Sequence, residues 1–357
     1  MKRKAVIAMS GGVDSSVAAY LVKQAGFDCV GITMKLFDGA DNRCCSLSDV
    51  NDARNVAYRL DIPYYVLNFT GEFEDQVIRK FIETYKQGAT PNPCIDCNRY
   101  LKFERLLLRA FQIEADYVAT GHYARVEKSG ERFLLKKALD TRKDQSYVLY
   151  TLTQDQLAHT LFSLGTLTKE ETRDLARAQG FVNAKKQDSQ DLCFVPDGDY
   201  AAFIERYTGV QAMPGNIIDE SGAVLGQHRG LIRYTIGQRR GLNLSFGEPR
   251  YVAAKSVTDN TLVLAREASL YTKTLIASDL NLIAYEKLDK PLRVRVKTRY
   301  LQAEQDALLE QIDDNHIRVE FDVPQRAITA GQAAVCYDGD TVICGGVIVS
   351  SYGTDME

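Results

Sequence analysis

Residues 4–26, KAVIAMSGGVDSSVAAYLVKQAG, hold the pattern that decides the fold. A short apolar run over 4–9 reads as a buried strand. It stops at two glycines, an aspartate and three serines. Val17, Ala18, Leu21, Val22 and Ala25 then recur at helical spacing until Gly26 ends the helix. A loop between a parallel strand and the helix that follows is where open α/β sheets bind ligands. Gly11 and Gly12 let the backbone approach an anion. The hydroxyls of Ser10, Ser15 and Ser16 and the positive helix end favour phosphate. The loop is neither G-x-x-x-x-G-K-[ST] nor G-x-G-x-x-G.

Outward from this unit, strands and helices alternate. DCVGITMKLF (28–37), PYYVLNF (63–69) and DYVATGHYA (116–124) read as strands. SDVNDARNVAYRLD (48–61) and EFEDQVIRKFIETYKQG (72–88) read as helices, and another helix follows NPCIDCN (92–98). The alternation predicts an α/β domain, a parallel sheet with helices on both faces. After about residue 197 the helical period fades. YVAAKSV-TDN-TLVLA (251–265) predicts a hairpin, and 280–352 predicts short strands suited to a small barrel. The expected division is 1–197, a small mainly-β domain over 198–277, and a C-terminal β-barrel over 278–357.

No apolar run among the 357 residues is long enough to span a bilayer, and no signal peptide is apparent, so a cytoplasmic protein is expected. In a reducing compartment its eight cysteines are thiols, metal ligands or catalysts rather than a disulfide scaffold. Net charge is −3, yet LGQHRGLIRYTIGQRRGL (225–242) carries four arginines and a histidine without an acid. In PLRVRVKTRY (291–300), Arg293, Arg295, Lys297 and Arg299 alternate, so a strand would put all four on one face. Such stretches fit either a solvated strand face or a phosphate-binding surface.

Cys94 and Cys97 stand three apart in ATPNPCIDCNRYLKF (89–103), where a helix begins. The positive helix end, Arg99 and Lys102 predict a lowered thiol pKa there. DSQDLCFVPDGDY (188–200) supplies Cys193. Cys29, Cys336 and Cys344 read as packing residues, and Cys44 and Cys45 stay open. A zinc site lacks a fourth good ligand. His159 and His316 have no assigned role.

SGGVDSS resembles the PP-loop of ATP pyrophosphatases, which implies ATP on residues 8 to 15 with magnesium placed by Asp14. GITMKLFD, NPCIDCN, TGHYAR, KDQSYVLY, SQDLCF, YTIGQRRGL and AGQ follow in order. Together they resemble the tRNA-specific 2-thiouridylases of MnmA type over essentially the whole chain. The resemblance implies a PP-loop domain, a central tRNA-binding domain and a tRNA-contacting barrel. Its reaction is adenylation of the 2-carbonyl of the wobble uridine, then sulfur transfer from a cysteine persulfide, with AMP and pyrophosphate released. It implies Ala8, Met9, Ser10, Gly11, Gly12, Val13, Asp14, Ser15, Met34 and Gly121 at ATP. Cys97 would be the nucleophile and Cys193 the persulfide carrier, with a transient Cys97–Cys193 disulfide. Asn92, Pro93 and Cys94 would face the target base, and His122, Lys143, Asp144, Gln145, Arg299, Tyr300 and Gln332 would contact tRNA. The implied partners are tRNA and a persulfide donor, a cysteine desulfurase or relay protein. Cys94 departs from a family pattern that has aspartate there. A 4Fe-4S cluster on Cys94, Cys97 and Cys193 is therefore an alternative. A PP-loop amidoligase of the GMP-synthetase type, and an RNA-binding protein holding ATP as a structural ligand, are the rivals.

Overall fold

Ala5, Val6 and Ile7 have no solvent-exposed surface, because a strand in mid-sheet is covered on both faces. The computed structural model describes residues 2–37, 46–187, 192–195, 197–245 and 247–352. The first seven strands are β1 (Lys4–Ala8), β2 (Asp28–Lys35), β3 (Tyr64–Asn68), β4 (Tyr117–Thr120), β5 (Ala124–Ser129), β6 (Arg132–Lys137) and β7 (Thr160–Phe162). Five form a parallel sheet in the order β3-β2-β1-β4-β7. Alternation along β1 separates two cores. Ala5, Ile7 and Met9 pack against α1 (Val13–Gln24) and α2 (Leu47–Arg59). Val6 packs with Val30, Ile32 and Met34 of β2 against the helical stretches 70–86 and 93–112. The α/β expectation holds. The order turns back between β1 and β4, and the loops leaving those two strands open a crevice there.

A second sheet of four strands follows: β8 (Gly215–Asp219), β9 (Val224–His228), β10 (Tyr251–Ser256) and β11 (Thr261–Ala265), in the order β10-β11-β8-β9. The expected hairpin is the antiparallel pair β10–β11. Not every residue past 197 is β: Tyr200–Thr208 is helical, and its Phe203 and Ile204 belong to the core of the first sheet.

The last six strands are β12 (Tyr271–Leu282), β13 (Leu292–Lys297), β14 (Gln305–Gln311), β15 (Ile317–Arg326), β16 (Ala333–Asp338) and β17 (Thr341–Tyr352). They run β12-β15-β14-β13-β16-β17, and β17 pairs back to β12, which closes the barrel and leaves no open edge within it. The β5–β6 hairpin attaches to the barrel through Thr341↔Lys136, so a segment from within the N-terminal domain contributes to the last sheet. Among the described residues no helix is long and apolar enough to cross a membrane.

Candidate nucleotide and thiol site

The loop after β1 is ordered by its own serines. Ser15 Oγ lies 3.2 Å from both the backbone N and the Oγ of Ser10, and donates to the Gly12 carbonyl at 3.1 Å. Gly12 is the N-cap of α1, and no side chain caps that end. The first-turn N–H groups are therefore left for an anion. Gly11 has φ +74°, and a Cβ there would lie 2.3 Å from the Asp49 carbonyl oxygen, so only glycine fits. Gly121, just past β4, presses on the same turn: a Cβ would sit 2.7 Å from Ser15 N. Residues 8 to 15 and Gly121 thus meet at the switch point. Met34 lies in the buried core under β2. Asp14 is already engaged, accepting from Lys169 Nζ at 2.7 and 2.8 Å and from the Tyr123 hydroxyl at 3.0 Å.

From this loop a chain of contacts runs to the cysteines. His122 follows Gly121 and is buried, with Nδ1 2.8 Å from Thr120 Oγ1 and Nε2 3.5 Å from Lys102 Nζ. Burial, then the Lys102 charge, hold its pKa well below 6.5, so the ring is neutral. Lys102 donates to Asn98 Oδ1 at 2.9 Å, and the Asn98 amide donates to the Val148 carbonyl at 2.9 Å. Asn98 and Lys102 share the helical stretch that begins at Pro93, whose turns widen to i→i+5 bonding over 97–105. Such widened turns concentrate at functional sites. Asn92 caps the start of this stretch, its Oδ1 accepting from Cys94 N at 3.2 Å, and Pro93 takes the first helical position.

Cys94 is exposed and Cys97 half-buried. Cys94 does not carry the lowered pKa expected of it. Protein crowds its open cleft, and that crowding, followed by the nearby Cys193 charge, raises the thiol above 9.0 against the opposing pull of Lys102. Cys193 comes to the same place from far along the chain. Phe194 beside it is driven into the core, with ring centroids 5.6 Å from Phe73, 5.3 Å from Phe81 and 5.2 Å from Phe203. Each such edge-on pair adds about 0.5–1.5 kcal/mol beyond burial. Cys97 packs at the margin of that core, and Cys193 itself is exposed. The structure therefore brings Cys193 within charge range of Cys94, on the core that Cys97 also touches. Cys44 and Cys45 lie outside the described residues, as does most of the SQD that precedes Leu192.

Several expected tRNA contacts are engaged inside the protein. Asp144 is buried and accepts from the Ala138 and Ser146 backbone N–H groups and the Ser146 hydroxyl. Gln145 bonds the Tyr123 backbone in both directions. Gln332 donates to the carbonyls of Thr90 (2.8 Å) and Pro91 (3.3 Å), clasping the loop that leads into Asn92. The basic strand ends at Lys297. Arg299 lies in the following turn, half-buried, and donates to the Ala327 carbonyl and Thr329 Oγ1. Arg293 and Arg295 do face outward together. Arg293 pairs with Asp322, and Arg295 lies within 3.9 Å of Glu304 and Asp306, so acids on neighbouring segments offset that face. Tyr300 is close enough to Asp144 and Cys94 that burial, then those two charges, push its hydroxyl to about 12. Lys143 lines a depression of about 490 Å³ with Arg142, Lys169, Arg173 and Arg177 and the acids Asp140 and Glu170, reached from Asp14 through Lys169. Arg229, Arg239 and Arg240 of the central basic stretch are exposed.

The three thiols do not stand as a preformed metal site. Among the described residues no three Cys, His, Asp or Glu side chains converge as ligands, which argues against a cluster on Cys94, Cys97 and Cys193. Sequence reasoning missed Asn98, Lys169 and Tyr123 as members of this site, and read Lys102 only as a charge beside the thiols, not as the link to His122. A polar residue inside an apolar helical pattern was the available signal for Asn98.

Three family profiles match in series: tRNA methyl transferase HUP domain over 3–197, tRNA methyl transferase PRC-barrel domain over 201–266, and aminomethyltransferase beta-barrel domain over 272–348. The chain is 50% identical over 355 residues to the tRNA-specific 2-thiouridylase MnmA of Lachnoclostridium phytofermentans, covering 97% of this chain and 99% of that one. It is 48% identical over 356 residues to the protein of that name from Acetivibrio thermocellus, covering 97% and 99%. A solved 4-thiouridine synthetase–RNA complex with bound ATP is 18% identical over 54% of this chain and 44% of its own, with a TM-score of 0.40, too slight a likeness to support an argument.

Proposed function

Because the chain belongs to the family of tRNA-specific 2-thiouridylases, we propose that it is a tRNA-uridine 2-sulfurtransferase that spends ATP to replace the 2-oxygen of the wobble uridine with sulfur. The observation that carries this reading is the unbroken path from the serine-glycine loop through Gly121, His122 and Lys102 to the helix holding Cys94 and Cys97, with Cys193 facing it. This path supports a reading in which phosphate chemistry and sulfur chemistry meet, as a two-step substitution at one carbon requires.

In the first step the uracil O2 attacks the α-phosphorus of ATP and pyrophosphate leaves. Uncapped N–H groups at the start of α1 would hold the phosphates. Magnesium would arrive with ATP. Asp14 is the carboxylate beside the loop, and it would hold the ion in competition with the Lys169 ammonium that now contacts both of its oxygens. In the second step the Cys97 thiolate attacks Sγ of a Cys193 persulfide. The Cys97–Cys193 disulfide forms, the terminal sulfur leaves as hydrosulfide, and it attacks C2. AMP departs with the former oxygen. A thiol reductant must then reopen the disulfide, and an external persulfide donor must recharge Cys193. The uracil must leave its stack to reach a cleft floored by Cys94. Asn92, Pro93 and Cys94 would form that floor, their loop held by Gln332. In this account Arg299, Asp144, Gln145 and Gln332 shape the surface that meets tRNA, while Lys143 and Tyr300 are placed to touch it.

The test supplies unmodified tRNA, magnesium, ATP and a protein persulfide, then digests the RNA and measures 2-thiouridine. Wild-type protein forms it; Cys97→Ser and Cys193→Ser each lose it while binding tRNA within about twofold of wild type. Wild-type turnover in either variant would reject the sulfur assignment. Product formed by amidation of a nucleotide without tRNA would favour the amidoligase.

A further inference from the structure

The turn at 183–186 belongs to none of the motifs above, yet it touches the back of the nucleotide loop. Asn183 is 3% exposed. Its Nδ2 donates to the Gly11 carbonyl and to Ser16 Oγ, both at 2.9 Å. Ser16 in turn donates to the Gly12 carbonyl at 2.9 Å. Lys186 Nζ lies 3.3 Å from the same Gly11 carbonyl, while bonding Asp49 at 2.6 Å and Asp52 at 2.7 Å on α2. Among the described residues Asn183 Oδ1 accepts nothing. Turning the amide over would bring Oδ1 against the Gly11 oxygen, so the donor end must face the loop.

From these contacts, and resting on the nucleotide reading above, we infer that Asn183 and Lys186 are positioning residues for the phosphate-binding loop. In a trans peptide the C=O and N–H point in opposite directions. Holding the Gly11 oxygen from behind turns the Gly12 N–H to the front, and holding the Gly12 oxygen through Ser16 does the same for the Val13 N–H. Among the described residues Gly12 N–H has only a 3.4 Å contact to Ser10 Oγ, so it is available to an anion. Glycine is free to flip these peptides, and the two side chains remove that freedom before ATP arrives. Lys186 also fixes α2, the helix whose Asp49 backbone walls Gly11.

Asn183→Asp is nearly isosteric and sets a carboxylate oxygen against the Gly11 carbonyl; Lys186→Met removes the ammonium. Calorimetry with magnesium and α,β-methylene ATP should show the dissociation constant rising about tenfold or more in each, about 1.4 kcal/mol. tRNA binding should stay within about twofold. The Asn183→Asp deficit should shrink from about pH 8.5 to about pH 6, because the protonated carboxyl regains a donor; a purely structural defect would not recover. Probe binding within about twofold of wild type in both variants overturns the inference, as does an equal, pH-independent loss of probe and tRNA binding. If wild-type protein itself fails to bind the probe, it is the nucleotide reading that falls.

Discussion

Substituting Gly121 by alanine tests whether the crevice between β1 and β4 is as tight as it looks. The new methyl would lie 2.7 Å from Ser15 N, 2.8 Å from Asp14 C and 3.1 Å from Asp14 Cβ. The shortest of these is about 0.7 Å inside ordinary contact. Neither side yields easily. β4 is tied to β1 by the pairs Ala5↔Tyr117, Val6↔Val118 and Ile7↔Ala119, and the first turn of α1 is buried from Ser15 onward. Overpacking of this sort costs about 1–3 kcal/mol. If the nucleotide loop moves to relieve it, KM for ATP rises about 5- to 150-fold. If the fold carries it, Tm falls by about 2–4 °C per kcal/mol. Gly12→Ala is the control. Gly12 has φ −86°, and its added Cβ would meet only Ser10 Oγ at 3.4 Å, so Tm should hold. Any loss of ATP affinity at Gly12 then reports close approach of the ligand itself. Thiolation kinetics with varied ATP, alongside thermal melts, measure both. Gly121→Ala protein with wild-type KM and Tm would refute the packing argument.

Alkylation of Cys94 by iodoacetamide, followed by mass spectrometry, should be slower at neutral pH than for a free thiol and accelerate only as pH climbs past 9.0. Lys102→Met should slow it further, since that cation opposes the upward shift. Lys255, which donates to the Tyr234 carbonyl, has its ammonium lowered to about 8 by burial. A base depressed in the fold is disfavoured as a cation there, so between about pH 8 and its unfolded value the unfolded chain binds more protons and stability rises with pH. Wild-type Tm should accordingly gain on that of Lys255→Met across this window, and a constant difference would discount the buried ammonium. Arg293→Gln should weaken tRNA binding less than about twofold, because Asp322 already holds that guanidinium. A large loss would restore the basic strand as a phosphate-contacting face.

The nucleotide half of the site was legible at residues 4–26, because strand, glycine turn and helix follow from local rules that tertiary packing reinforces. Cys94 shows where local rules fail. A thiol at a helix start reads as acidified, but the walls of its cleft come from distant segments and reverse the shift. Of the period-two basic residues, Arg293 and Arg295 were placed correctly on one outward face, whereas the strand ends at Lys297 and Arg299 turns inward after it. The neutralisation of Arg293 and Arg295 by Asp322, Asp306 and Glu304 depends on barrel register, which alternation alone does not reveal. Asn183 and Lys186 were unreadable for a related reason. Nothing within a few residues of them signals a partner more than a hundred positions earlier.

The hairpin at 124–137 has a practical corollary for anyone dissecting the chain. Arg125 pairs with Asp340 at 2.6 Å, and Lys137 with Glu304 at 2.5 Å, so cutting ahead of residue 278 severs a seam rather than a tether. A truncated C-terminal piece would bare the place where Thr341 meets Lys136 and take Lys137 from the little-exposed Glu304, leaving it the longer 3.8 Å contact to Arg295. Denaturant titration of the intact chain should show the first and last sheets melting as one, with any early transition confined to the four-stranded module between them.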